Sequence, residues 1–120
     1  MTEYMILNHT DPNGPGPVPG TPEFEEFMGR WMAYNQMLID GGHWVSGASL
    51  APPDIATTVS KTDGTVTATT DGPYSEAKEQ VGGYYLIKAA DLDEALDLAG
   101  KMPVENGHLE VRPVAFRPDA

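Results

Sequence analysis

The chain has no cysteine among its 120 residues. That absence removes thiol nucleophiles, thiolate metal sites, disulfides and redox switches together. Positive charge is scarce as well: 7 Lys and Arg stand against 18 Asp and Glu, for a net charge of −11. Such a surface repels phosphate backbones and anionic headgroups, so neither nucleic acid nor membrane is an expected partner. The acidic residues are dispersed, as in the short run Glu25-Glu26, and read as a solvating surface rather than an interaction tail. No apolar stretch approaches the ~18 residues of a membrane span. No basic-then-apolar run opens the chain, and the expected location is cytoplasmic. The three histidines, His9, His43 and His108, lack metal-ligand spacing such as His-x-x-x-His, so neither a metal nor another cofactor is expected.

Residues 1–120 are expected to form a single domain, long enough to bury roughly 60–70% of its unfolded surface without a staple. Glu3 to Asn8 is a short apolar strand. Thr10 to Gly20 is crowded with proline and glycine, which leaves an extended loop that is either mobile or laid over a pocket. Thr21-Pro22-Glu23 starts a helix, with a hydroxyl cap, proline in the first turn and carboxylates near the positive end of the dipole. Phe24, Phe27, Met28, Trp31, Tyr34 and Leu38 recur at spacings of three and four, so they form its apolar face. Gly41-Gly42 ends it. A short strand follows at His43 to Ser46, then a hairpin of Ala56–Thr62 and Thr65–Thr70 around Asp63-Gly64, rich in β-branched residues.

Gly83 to Ala89 reads as a strand that is apolar on both faces. Asp91, with Glu94 three residues on, forms a capping box for a helix whose expected face is Leu92, Ala95, Leu96, Ala99 and Met102. His108 to Phe116 closes the chain as a strand. The expected fold is α+β: an antiparallel sheet with two helices on one face and an inserted hairpin. The second apolar face of the Gly83–Ala89 strand then needs a cover, and a second copy of the chain supplies one. Trp31 and Trp44 are read as core or dimer contacts.

The sharpest local signal is Asp71-Gly72-Pro73-Tyr74. An Asp before Gly-Pro folds its carboxylate onto nearby amides as a turn former. The functional alternative is a carboxylate held at a pocket mouth, where burial raises its pKa and makes it an acid/base. His9, at the end of the first strand, is the candidate partner. Ser75 and Lys78 make a Ser-x-x-Lys pattern without the companion patterns of acyl-transfer enzymes. Lys78 is read as a surface ion pair or as the holder of an anionic ligand. Gly82-Gly83 before Tyr84-Tyr85 calls for a bulge or a close backbone approach, serving either a ligand or a dimer contact. Arg112 answers an internal carboxylate, with Asp71 as a candidate, or the carboxylate of a ligand. Tyr74, Lys78, Tyr84 and Arg112 are the candidate ligand-binding residues.

The run from Asp71-Gly72-Pro73-Tyr74 through Gly82-Gly83-Tyr84-Tyr85 to Val111-Arg112-Pro113-Val114 resembles the YCII-related family, in its DGPF subgroup of small bacterial proteins. Tyr74 stands where that subgroup's signature has Phe. The resemblance implies a ferredoxin-like domain paired into a dimeric α/β barrel, with no general activity attached. It also implies a His–Asp pair as the catalytic element, with Asp71 in the signature and no histidine in a transferable motif. Two functions follow as expectations. The first is a small-molecule enzyme with Asp71, joined by His9, as acid/base. The second is a non-catalytic ligand-binding or regulatory module associated with transcriptional control. The expected partners are a second copy of the chain and a small molecule.

Overall fold

The computed structural model describes residues 1–14 and 16–119. Six strands and two helices follow one another as β1 (Thr2–Thr10), α1 (Pro22–Asp40), β2 (Trp44–Ser49), β3 (Thr57–Thr62), β4 (Thr65–Asp71), β5 (Gln80–Ala89), α2 (Leu92–Gly100) and β6 (His108–Pro113). The expected α+β order is present, with a single 3-10 turn at Pro53–Ile55 added before the hairpin. Four strands form an antiparallel sheet in the order β2-β5-β1-β6, while β3 and β4 pair only with each other. Each helix therefore crosses over one intervening strand: α1 joins β1 to β2 across β5, and α2 joins β5 to β6 across β1.

Local chemistry places the ends of these elements. The Thr21 hydroxyl accepts from the Phe24 amide at 3.3 Å, and Pro22 follows in the first turn. At the far end Gly42 adopts φ 75°. Its amide donates to Ile39 and the His43 amide to Leu38, a Schellman closure that only a residue tolerant of left-handed φ makes cheaply. Asp91 caps α2 by accepting from the Glu94 amide at 2.9 Å. Glu94 reaches back to the Ala90 amide, one residue further than the usual box. Asp63 and Gly64 both take positive φ in the two-residue turn between β3 and β4.

Both helices pack on one face of the sheet. Tyr4, Ile6, Ile87 and Ala89 from the strands meet Tyr34 and Leu38 of α1, Ala95, Leu98 and Ala99 of α2, and Met102 just after it. The buried stripe of α2 is thus 95, 98 and 99; Leu92 and Leu96 lie on its exposed side, because only one stripe of so short a helix reaches the sheet. The opposite sheet face carries Met5, Leu7, Tyr84 and Leu86, by the alternation of the β1–β5 register. Leu86 is only 5% exposed, yet it stands outside the core cluster. The chain alone closes no barrel. A carboxylate–guanidinium clamp ties the C-terminal segment to β1: Arg117 meets Glu3 at 2.8 Å and holds the Glu3 carboxyl below its usual range. Among the described residues no helix is long and apolar enough to cross a membrane.

The hairpin stands apart. Every residue of β4, and all of β3 except Thr58, is exposed. The radius of gyration is 16.4 Å, against roughly 14 Å for a compact chain of this length.

The double glycine does both things its sequence suggested. The β1–β5 register shifts between Asn8 and His9, which pair with Gly83 and Val81, so Gly82 is the extra residue of a bulge. A Cβ on Gly83 would lie 2.7 Å from the Ala48 carbonyl oxygen, so β2 approaches β5 closely there. Gly83→Ala is expected to force the two strands apart and destabilise the domain by about 1–3 kcal/mol. Urea denaturation measures this directly, and an unchanged midpoint would show that β2 yields freely.

Candidate functional site

The apolar face of α1 is largely aromatic, and its rings continue into the sheet. Phe27 lies 6.4 Å from Trp31 between ring centroids, and Trp31 meets Tyr34 edge-on at 6.3 Å. Tyr85, from β5, touches Trp31 at 6.2 Å and Tyr34 at 5.6 Å. Trp44, from β2, meets Tyr85 edge-on at 5.6 Å. Such tilted and edge-to-face pairs follow from ring quadrupoles and hold the rings in fixed orientations. Toward its C-terminal end α1 seals onto the core through Tyr34 and Leu38. Beneath its N-terminal half the same face leaves a cavity of about 480 Å3, walled by Phe27, Trp31, Trp44 and Tyr85. Gly47, Gly82 and Gly83 also line it and add no side-chain bulk. At Gly47 a Cβ would come within 3.1 Å of the Trp44 ring, so glycine there lets the indole lie across β2.

No charged side chain is among the residues lining this cavity. Its polar groups are few and neutral. The Tyr85 hydroxyl donates to Asn35 Oδ1, and burial pushes the Tyr85 pKa above its ordinary value. Tyr34, buried behind it, is raised further by burial and donates to the Leu98 carbonyl at 2.9 Å. Both phenols therefore stay protonated at neutral pH. Asn8 Oδ1 is buried and has no hydrogen-bond partner among the described residues. An orphaned acceptor of this kind costs about 1–3 kcal/mol.

The cavity adjoins a larger groove of about 920 Å3, with which it shares Asn8, Thr10, Phe27 and Trp31. The proline- and glycine-rich loop after β1 flanks this groove through Asp11, Gly14, Gly16 and Pro17, so that loop is laid over a pocket. The groove carries five carboxylates, Asp11, Glu23, Glu26, Glu79 and Glu105, and two cations, Arg30 and Lys78. Arg30 lies 3.4 Å from Glu105 and Lys78 lies 3.7 Å from Asp11, leaving the entrance net acidic.

The residues singled out by sequence lie elsewhere, with partial exceptions. Asp71 ends β4 on the exposed hairpin, and its carboxylate makes no hydrogen bond or ion pair among the described residues. Backbone groups hold the turn instead: the Gly72 amide donates to Ala56, and the Thr58 hydroxyl to the Gly72 carbonyl, each at 2.7 Å. Gly72 has φ 101°, which accounts for glycine at that position. Within the chain, Asp71 and His9 are not brought into contact. The partner of His9 is Glu110, with Nε2 to Oε1 at 3.0 Å across the β1–β6 pair. Tyr74 is 90% exposed. Lys78 borders the groove, with 85% of its side chain exposed. Tyr84 lies at the cavity margin, and its side chain belongs to the open sheet face. Arg112 is exposed and has Glu110, not Asp71, as its near acid at 4.0 Å.

Asn8, Asn35 and Tyr85 line the cavity beside the polar Thr10, Ser49 and Tyr84, and of these six sequence reasoning singled out only Tyr84. The available signal was parity: Asn8 continues the inward series Tyr4, Ile6, and an amide among inward apolar residues marks a polar group the fold must accommodate. Since the Asp71 carboxylate makes no hydrogen bond or ion pair among the described residues, Asp71→Asn and Asp71→Ala should both unfold within about 0.5 kcal/mol of the unaltered protein. Equilibrium urea curves of the two variants check this. A loss confined to the Ala variant would show that the carboxylate holds the turn.

Comparison with known proteins places this architecture. An uncharacterized protein of Rhizobium meliloti (strain 1021) is 40% identical over 97 residues, which cover 78% of this chain and 77% of that protein. A family model described as the YCII-related domain matches residues 2–116, from the first strand through the segment after the last. The chain belongs to the YCII-related domain family.

Proposed function

We propose that this YCII-related protein binds a small organic molecule in the cavity beneath α1, as a ligand-binding module whose working site is the cavity rather than the Asp-Gly-Pro turn. The observation that carries this reading is the cavity itself, walled by four aromatic rings and three glycines with no charged residue in its lining. A cavity of about 480 Å3 is within the usual range of small-molecule sites, about 300–1,000 Å3. No histidine, carboxylate, lysine or arginine lines the cavity, which favours binding over acid–base chemistry there. A catalytic reading is supported chiefly by the His9–Glu110 pair, a histidine oriented by a carboxylate on the open face of the sheet. Asp71 would join that pair only if another copy of the chain brought it there.

The oligomer belongs to the same reading. The strand order and the two crossovers support a ferredoxin-like domain, and a second copy would cover the open face and complete a barrel. Met5, Leu7, Tyr84 and Leu86 favour this, as does a hairpin whose strands pair only with each other and are exposed almost throughout. Sedimentation equilibrium at micromolar concentration should give twice 12.9 kDa. Leu7→Asp should give a folded monomer, since a carboxylate buried between copies goes unpaired. A monomeric unaltered protein would contradict the pairing.

For the cavity, thermal melts against a panel of one- and two-ring amides, esters and acids should find compounds that raise the melting temperature with concentration. Saturation at about 100 times Kd corresponds to roughly 2.7 kcal/mol. Trp31→Ala and Trp44→Ala should each weaken the effect. Stabilisation that persists unchanged in both variants would place the ligand elsewhere and overturn the reading.

A further inference from the structure

Two of the chain's four asparagines precede glycine, in Asn13-Gly14 and Asn106-Gly107. Gly14, Asn106 and Gly107 all line the groove that leads to the cavity. A glycine after asparagine puts no side chain between its own amide nitrogen and the asparagine side-chain carbonyl. We propose that Asn106 is a site of spontaneous deamidation, left reactive by the fold while Asn13 is protected. The Gly107 amide nitrogen gives up its proton and attacks Asn106 Cγ. The Cγ–Nδ2 bond breaks, ammonia leaves, and a succinimide ring remains. Water then opens the ring at either carbonyl, to aspartate or to isoaspartate.

The two pairs are alike in sequence and differ in what holds their amides. The Gly14 amide donates to the Asp11 carbonyl at 3.1 Å, and the Asn13 amide donates to Asp11 Oδ1 at 2.9 Å. Asp11 thus clasps both amides in a closed turn, which the Gly14 nitrogen must leave before it can attack. The Gly107 amide makes no hydrogen bond among the described residues, and Asn106 and Gly107 are exposed in the bend before β6. Asn8 and Asn35 lie in β1 and α1 and precede His9 and Gln36, so regular structure and a bulky neighbour block the same reaction there. Either product at position 106 adds a carboxylate to the five already in the groove. Isoaspartate also lengthens the main chain by one carbon just before β6. There is little slack for it: a Cβ on Gly107 would lie 2.7 Å from the His9 carbonyl oxygen, and His108 pairs opposite His9.

Ageing the full chain at mildly alkaline pH and body temperature, followed by tryptic mass mapping, tests this. Trypsin does not cut before proline, so it passes Arg112 and Arg117 and yields fragment 102–120, whose single asparagine is Asn106. Fragment 1–30 carries Asn13-Gly14, and neither fragment contains glutamine. In the folded protein, fragment 102–120 should acquire the mass gain of NH2 replaced by OH, as two chromatographically separate species. It should do so at least about tenfold faster than fragment 1–30, roughly the factor set by one ordinary hydrogen bond that must open first. In guanidinium, where neither turn survives, the two fragments should age at comparable rates. Equal ageing of both fragments in the folded protein would overturn the proposal. So would a fragment 102–120 that reacts only when the chain is unfolded. A single product at Asn106 would overturn the succinimide route.

Discussion

The close approach of β2 to β5 at Gly83 is the constraint on which the rest of the site depends. A side chain there would strike the Ala48 carbonyl, so only glycine lets β2 pair at full depth with the central strand. That pairing delivers Trp44 to the face of Tyr85 and so builds one wall of the cavity. The neighbouring Gly82 provides the bulge that shifts β1 by one residue beyond Asn8. Asn8 and Thr10 line the cavity by the alternation of β1, while His9 faces away toward Glu110, and the bulge keeps β5 paired alongside them.

Stability and recognition pull in opposite directions around this box. The inner end is conventional: Ile6, Leu38 and Ile87 are fully buried, and Tyr34 satisfies its hydroxyl on the Leu98 carbonyl. Moving outward along α1, the packing gives way to rings that touch one another across an open volume. A domain selected for stability alone would fill that volume and replace Asn8 with an aliphatic residue. Retaining a buried amide oxygen without a partner is the kind of local loss that functional sites carry. By contrast, the Asp-Gly-Pro turn is satisfied entirely by backbone groups and the Thr58 hydroxyl, and the Asp71 carboxylate stands free of both.

Much of the fold was legible because it is written in short-range chemistry. Thr21, Asp91 and the Asp63-Gly64 pair each act within four residues of themselves, and all three terminate elements where their side chains or φ angles require. The α2 stripe was less legible: Leu92, Leu96 and Leu98 are alike in sequence, and only the position of the helix on the sheet selects Leu98 for burial. The functional site was the least legible part. Asp71 drew attention as a charged residue in a tight turn, yet a turn signature reports on backbone geometry and says nothing of where the carboxylate points. Asn8 and Asn35 drew none, being neutral amides whose significance appears only when β1, β5 and α1 come together. The tryptophans were read as packing, which is half the account: they pack on one side and wall a cavity on the other.

The central claim is that the cavity under α1 is the working site. The most direct measurement is a crystal structure of the protein grown with a compound that raises its melting temperature. The account predicts the compound lodged among Trp31, Trp44 and Tyr85. A compound bound on the hairpin near Asp71, with the cavity left empty, would contradict it.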